Sequence, residues 1–141
     1  MPDTDIQLKI EKAVKLLDDH DLCFVHLKAT DTTAHDKNPL AKSEFITKFD
    51  KTLSSFNLNN LVVGVCADHS TDSIRGEHNG DPVPVLIYSP HGRKDKVSHY
   101  NEIDVMTGGL GRISAHGYLL SILNAMDQLN NYKPSEIDLL I

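Results

Sequence analysis

Aspartate and histidine residues in three polar segments of the 141-residue chain have the types and spacing of metal ligands. Asp68 and His69 follow an apolar run, Asp31 and His35 lie four residues apart after another, and His78 lies a short way downstream. Zinc, manganese and related ions bind carboxylate and imidazole together. One helical turn would bring Asp31 and His35 to the same ion. His78 could be the third ligand of that ion. The adjacent pair Asp68 and His69 diverges at a strand end and suits a second ion.

Two divalent ions about 3.5–4 Å apart can stabilise the attacking and the leaving oxygens of a phosphoryl transfer. Each of these residues taken singly favours a plainer interpretation, because Asp and His are common in turns and helix caps. The hypothesis of a two-metal site therefore depends on the combination of residues from three segments.

Alternating helices and apolar strands must position these segments. Thr4 or Asp5 is suited to cap a first helix that ends near residues 18–20, Asn38 followed by Pro39 marks the start of a second, and Ser114 caps a third. The second helix carries an apolar face, which comprises Leu40, Phe45, Ile46, Phe49 and Leu53. The buried face of the third comprises Leu119, Ile122, Leu123 and Met126.

Apolar runs predict strands at 22–27, 61–65 and 83–88, and polar loops are predicted at 28–38 and 71–82. This order predicts an α/β fold with a layered sheet flanked by helices. Both cysteines, Cys23 and Cys66, are expected to be free thiols buried inside predicted strands.

Length and composition set further bounds on the class of protein. A chain of 141 residues predicts a single domain, residues 1–141. The formal net charge of -6 and the lack of a basic patch argue against a nucleic-acid partner. No stretch is long and apolar enough for a membrane span, and the first residues lack the features of a secretory signal. We therefore expect a cytoplasmic protein.

A series of motifs resembles a known family. The chain resembles the archaeal-type 2,3-bisphosphoglycerate-independent phosphoglycerate mutases, which belong to the alkaline phosphatase superfamily. The resemblance runs from about Thr4 to Met126, and the motifs occur in the same order and at the same spacing as in the family. The motifs are His26-Leu27-Lys28-Ala29-Thr30-Asp31, Ala34-His35-Asp36, Ala67-Asp68-His69-Ser70-Thr71, Gly80-Asp81-Pro82-Val83-Pro84-Val85-Leu86 and Gly108-Gly109-Leu110-Gly111-Arg112-Ile113.

The resemblance implies a partial alkaline-phosphatase-like layered sheet and an activity. The family interconverts 3-phosphoglycerate and 2-phosphoglycerate, a step of glycolysis and gluconeogenesis, through a phosphoserine and with two divalent metal ions (manganese or zinc, or else cobalt). By resemblance, Asp31, His35 and His78 hold one ion, and Asp68 and His69 help to hold the other. Lys28 is implied as a contact to the phosphate or carboxylate of the phosphoglycerate substrate.

The resemblance covers only the C-terminal, metal-binding part of the family's catalytic core. In the family, the nucleophilic serine and a further metal-binding aspartate lie in an N-terminal part, ahead of a cap domain. No serine of this chain matches that nucleophile, so we expect the isolated chain to be inactive and to need a missing N-terminal half or to self-associate. The alternatives are another phosphotransferase or phosphatase of the superfamily, and a non-catalytic metal-binding or interaction module.

Overall fold

The computed structural model describes residues 4–129 as short helices and small antiparallel sheets. None of the helices in this range is both long and apolar enough to cross a bilayer. In chain order the elements are α1 (Ile6–Leu16), α2 (Ala29–His35), α3 (Pro39–Leu53), β1 (Val63–Val65), β2 (Ser70–Asp72), β3 (Glu77–Asn79), β4 (Leu86–Tyr88), a 3-10 turn (Asp104–Thr107) and α4 (Ala115–Ala125).

These elements fall into two compact units. The first unit extends to Asn57 and includes His69–Asp81, so it holds the first three helices and the β2–β3 hairpin. The second unit comprises Leu58–Asp68 and continues from Pro82, so it holds the β1–β4 pair and α4. The prediction of one domain over residues 1–141 remains a prediction, and its ends lie outside the described residues.

The start of α1 is where the sequence predicts it. The Asp5 carboxylate accepts a hydrogen bond from the Leu8 N–H at 2.9 Å, which satisfies one of the unpaired donors of the first turn. Ile6 and Ile10 are buried on the inner face of the helix. The helix ends at Leu16, slightly before the predicted residues 18–20.

Helix α3 also begins as predicted, but its apolar face is only partly covered. Asn38 accepts from the Ala41 N–H at 3.0 Å and Pro39 takes the first helical position. Of the predicted face, Leu40 is 68% exposed and Ile46 is 46% exposed. Helical spacing places such residues on one side of a helix, but burial also requires a neighbouring element to cover that side.

Two predictions between α1 and α3 are wrong. Residues 22–27 form no strand, and among the described residues no other strand pairs with them. A strand needs a hydrogen-bonding neighbour, and an apolar run alone does not supply one. The predicted polar loop 28–38 contains α2, in which the buried hydroxyl of Thr33 donates to the Ala29 carbonyl at 2.9 Å.

The predicted loop 71–82 is also more regular than expected. Strands β2 and β3 pair as an antiparallel hairpin in which Thr71 lies opposite His78 and Ser70 opposite Asn79. Its turn contains Gly76 at φ +74°, a conformation that glycine adopts readily and other residues rarely do. The hairpin therefore fixes the position of His78, which the sequence places in a loop.

In the second unit, β1 and β4 pair antiparallel, with Val63 opposite Tyr88 and Val65 opposite Leu86. Both strands are shorter than predicted, and β4 begins after Pro84, as expected of a residue that cannot donate to a ladder. The Tyr118 hydroxyl on α4 donates to the Leu86 carbonyl at 3.1 Å.

Helix α4 begins at its predicted cap, because the Ser114 hydroxyl accepts from the Gly117 N–H at 3.1 Å. Its buried residue is Tyr118, and burial raises the pKa of the Tyr118 hydroxyl above the usual tyrosine value. Leu119, placed on the buried face by sequence, is 37% exposed.

The expectation for the cysteines is wrong. Cys66 is exposed, and Cys23 is half-buried. Neither lies in a strand, because residues 22–27 form none and β1 ends at Val65.

Candidate metal centre

A cluster of carboxylate and imidazole groups lies between α2 and the β2–β3 hairpin in the first unit. Asp31, His69 and His78 each offer a ligand atom, and these atoms lie within 4.8 Å of one another. His35 joins the cluster, since its Nε2 is 3.4 Å from Oδ1 of Asp31. The structure thus brings together four of the five predicted ligands.

The local fold explains why these residues meet. Asp31 and His35 are four residues apart on α2, so the helical repeat puts both on one face. His69 directly precedes β2 and His78 lies in the middle of β3, where antiparallel pairing brings the two imidazoles together. Their ring centroids are 4.0 Å apart, and those of His35 and His78 are 4.8 Å apart, both in edge-to-face geometry.

The orientation of His35 suits a metal ligand. Its Nδ1 lies 2.8 Å from the carbonyl oxygen of Gly76. A carbonyl can only accept, so Nδ1 carries the proton and the Nε2 of the neutral ring carries a lone pair. Metal-binding histidines are commonly oriented in this way, with the second ring nitrogen donating to a backbone carbonyl.

Asp31 is the anionic centre of the cluster. Its side chain is 14% exposed and forms an ion pair with Lys28. The hydrogen bond from Lys28 lowers the pKa of the Asp31 carboxyl to about 2, with smaller contributions from Thr71 and His35. The carboxylate is therefore ionised at neutral pH, as metal binding requires.

The donor set fits a divalent cation. The carboxylate oxygen Oδ1 of Asp31 and the Nε2 of His35 face each other at 3.4 Å. A divalent cation beside these two atoms would be attracted to the negative charge of the carboxylate and could accept a lone pair from the imidazole nitrogen. Mixed nitrogen and oxygen ligands are suited to zinc, manganese and similar ions.

Thr71 is a site residue that the sequence reasoning missed. It is 5% exposed, and its hydroxyl contacts Asp31, His69 and His78 at 2.9, 3.2 and 3.1 Å. One signal was available: Thr71 is two residues after His69, and residues two apart in an extended segment point to the same side.

The two remaining predicted site residues are Asp68 and Lys28, of which the structure places Lys28 beside the cluster. Asp68 belongs to the second unit, directly before His69 in the chain, so its role toward a second ion stays a prediction. The ammonium of Lys28 lies beside the cluster through its pairing with Asp31, and its side chain is 63% exposed. Its contact with a substrate stays a prediction.

Comparison with known proteins gives the class to which this site belongs. Residues 1–125 match the family model described as the metalloenzyme superfamily. The chain belongs to this superfamily, since the match covers most of its length. Membership agrees with a centre built from aspartate and histidine.

Individual proteins that are similar to this chain share one name. The chain is 37% identical to a 2,3-bisphosphoglycerate-independent phosphoglycerate mutase of Thermococcus kodakarensis, over 92% of this chain and 32% of the relative. It is 40% identical to the enzyme of the same name from Methanopyrus kandleri, over 90% of this chain and 30% of the relative. The chain thus spans about a third of the length of these curated relatives.

A solved structure supports the fold class. A protein from Pyrococcus horikoshii superposes with a TM-score of 0.82 at 37% identity, over 89% of this chain and 39% of that chain. The mixed helices and small antiparallel sheets described here are thus consistent with part of an alkaline-phosphatase-like α/β fold.

Proposed function

We propose that this chain forms the metal-binding part of a phosphoglycerate mutase, which interconverts 3-phosphoglycerate and 2-phosphoglycerate. The observation that carries the proposal is the cluster of Asp31, His35, His69 and His78 beside a lysine. The names of the relatives support the choice of reaction within the superfamily. We also propose that this chain corresponds to the C-terminal part of these longer relatives.

The proposed ligand division uses two ions. Asp31, His35 and His78 hold the first, and Asp68 with His69 helps to hold the second, the metals being manganese or zinc, or else cobalt. When bound, two such ions supply positive charge that activates a hydroxyl nucleophile and stabilises the transferred phosphoryl group. The Nε2 of His69 lies 3.9 Å from Oδ1 of Asp31. The residues proposed for the two ions are therefore neighbours.

Lys28 is proposed to bind the substrate. Its ammonium is held beside the cluster by the Asp31 carboxylate and is largely exposed. A phosphate or carboxylate group of phosphoglycerate that approached the cluster would meet this positive charge. An ammonium group with three rotatable donors is suited to such an anion.

The nucleophile of the proposed reaction comes from outside this sequence. Transfer through a phosphoserine needs a serine activated at the metals, and we propose that a segment equivalent to the unmatched two thirds of the relatives provides it. Turnover then depends on that segment.

A mixing experiment tests the proposal. The chain is purified with manganese or zinc and assayed for conversion of 3-phosphoglycerate, alone and with the complementary segment of the Thermococcus kodakarensis relative. We expect activity only on mixing, and its loss with a chelator. The His78→Gln variant should abolish the restored activity, whereas His91→Gln, an exposed histidine of the second unit, should retain it.

Other outcomes separate the alternatives. Metal binding without turnover in the mixture would favour a non-catalytic metal-binding module. Hydrolysis of phosphate esters without mutase activity would favour a phosphatase of the same superfamily. Full activity of the chain alone would contradict the external nucleophile.

A further inference from the structure

The hydroxyl of Thr71 makes three polar contacts inside the cluster. Its Oγ1 lies 2.9 Å from Oδ1 of Asp31, 3.2 Å from Nδ1 of His69 and 3.1 Å from Nδ1 of His78. Thr71 is 5% exposed, so water has little access to substitute for these partners. The antiparallel register places Thr71 directly opposite His78, which makes the second imidazole contact a product of the hairpin itself.

The number of donors and acceptors decides where the protons lie. A hydroxyl has one proton to donate and two lone pairs with which to accept. An ionised aspartate can only accept, so the single hydroxyl proton goes to Asp31. The two lone pairs that remain must then accept from the two imidazoles, which requires a proton on Nδ1 of both His69 and His78.

We propose that Thr71 is a positioning residue that holds His69 and His78 in the Nδ1–H tautomer and thereby presents their Nε2 lone pairs as metal ligands. This inference rests on the proposed metal site for its purpose, but the tautomers themselves do not depend on a metal. His35 acquires the same tautomer from a different acceptor, the Gly76 carbonyl. All three imidazoles of the cluster therefore offer Nε2, two of them because of one hydroxyl.

The first test measures the tautomers without any metal. The full chain is labelled with nitrogen-15, and the ring nitrogens are recorded by NMR in metal-free buffer at a pH where the imidazoles are neutral. The signals are assigned by substituting each histidine in turn. We expect protonated Nδ1 and unprotonated Nε2 for both His69 and His78. A proton on Nε2 of either ring would overturn the proposal.

The second test compares two replacements of Thr71. Thr71→Val keeps the shape of the side chain and removes the hydroxyl, whereas Thr71→Ser keeps the hydroxyl. We expect Thr71→Val to lose the Nδ1–H tautomer of at least one ring and to bind zinc about 10–100-fold more weakly, as is typical when a partner of a metal ligand is removed. Thr71→Ser should retain both properties, which a purely structural role for the threonine would not predict.

The readouts distinguish this inference from the proposed function. Expected tautomers in a wild-type chain that binds neither zinc nor manganese would contradict the metal site and leave the role of Thr71 in the tautomers supported. Zinc binding with unchanged tautomers in Thr71→Val would contradict the role of Thr71 alone. If Thr71→Val does not fold, the wild-type tautomers and the Thr71→Ser variant still decide the question.

Discussion

Asp31 is the residue on which the polar contacts of the candidate centre converge. Its two carboxylate oxygens are shared among Lys28, Thr71 and His35, with His69 slightly farther away. Desolvation raises the pKa of this carboxyl, but the hydrogen bond from Lys28 and the other donor and positive groups outweigh it, so the carboxylate is ionised at neutral pH. Such a group is a strong candidate for direct metal ligation.

Replacing Asp31 tests this role. Asp31→Asn keeps the size of the side chain but removes its charge, so we expect zinc affinity to fall by at least about tenfold, since ligand charge attracts the cation. Affinity can be measured by competition with a coloured chelator. Asp36→Asn, at the end of the same helix and exposed, is the matched control and should bind zinc as the wild type does. Equal affinities for both variants would contradict the assignment of Asp31.

Asp95 allows a prediction about pH in the second unit. Its carboxylate accepts from the Gly109 N–H at 2.8 Å and the Val97 N–H at 2.9 Å, and these bonds hold the pKa of Asp95 below the usual aspartate value. A lowered pKa in the folded state stabilises the fold above the unfolded-state pKa, and this stabilisation is lost as the pH falls through the folded-state pKa.

We therefore expect Asp95→Asn to lower the urea midpoint at neutral pH, with the difference from the wild type shrinking as the pH falls below the ordinary aspartate range. Unfolding curves at a series of pH values measure this difference. Asp50→Asn, an exposed residue of α3, should show little difference at any pH. A pH-independent effect of Asp95→Asn would indicate that charge is not its contribution.

At the scale of elements, the capped helix starts can be predicted from the sequence, whereas α2, the β2–β3 hairpin and the absence of a strand at 22–27 cannot. Helix starts at Asn38 and Ser114 depend on a side chain and a backbone N–H three residues away, so the sequence alone predicts them. The apolar run 22–27 forms no strand, because strand formation depends on a hydrogen-bonding neighbour elsewhere in the chain. The same limit applies to the site: ligand types were visible in sequence, but the central position of Thr71 depends on how the hairpin meets α2.

Packing between β1 and α4 gives a prediction at this scale. A Cβ atom on Gly64 would lie 2.6 Å from the Tyr118 hydroxyl oxygen and 2.7 Å from Cδ1 of Ile122. The Tyr118 hydroxyl is held by the Leu86 carbonyl, so it cannot move aside without breaking that bond. We expect Gly64→Ala to lower the free energy of unfolding by about 1–3 kcal/mol, the usual cost of overpacking.

Chemical denaturation of Gly64→Ala measures this loss. Gly80→Ala is the matched control, since a Cβ atom there would meet nothing within 4 Å. An undiminished stability of Gly64→Ala would mean that α4 packs less closely on β1 than described.

At the scale of the whole molecule, several large apolar side chains remain exposed. Phe24 is 84% exposed and Leu40 is 68% exposed in the first unit, and Met106 is 76% exposed in the second. Exposed apolar surface favours association. The chain also spans only about a third of its curated relatives, which supports the proposal that a further polypeptide covers some of this surface.

We expect the purified chain to associate as its concentration rises, which size-exclusion chromatography with light scattering would measure. Phe24→Ser should weaken the association, whereas Glu44→Gln, an exposed polar change, should not. A monomer at every concentration would contradict the expectation of self-association.

The hydrogen bond between His35 and Gly76 joins residues 41 positions apart in the chain. The proposed ligands lie at both ends of this span, on α2 and on the hairpin. An ion held by Asp31 and His78 would thus act as a cross-link, closing a long loop and restricting the unfolded chain much as a disulfide does. A chelator that removed the ion would also remove this cross-link. Amide hydrogens of the hairpin would then exchange faster with solvent.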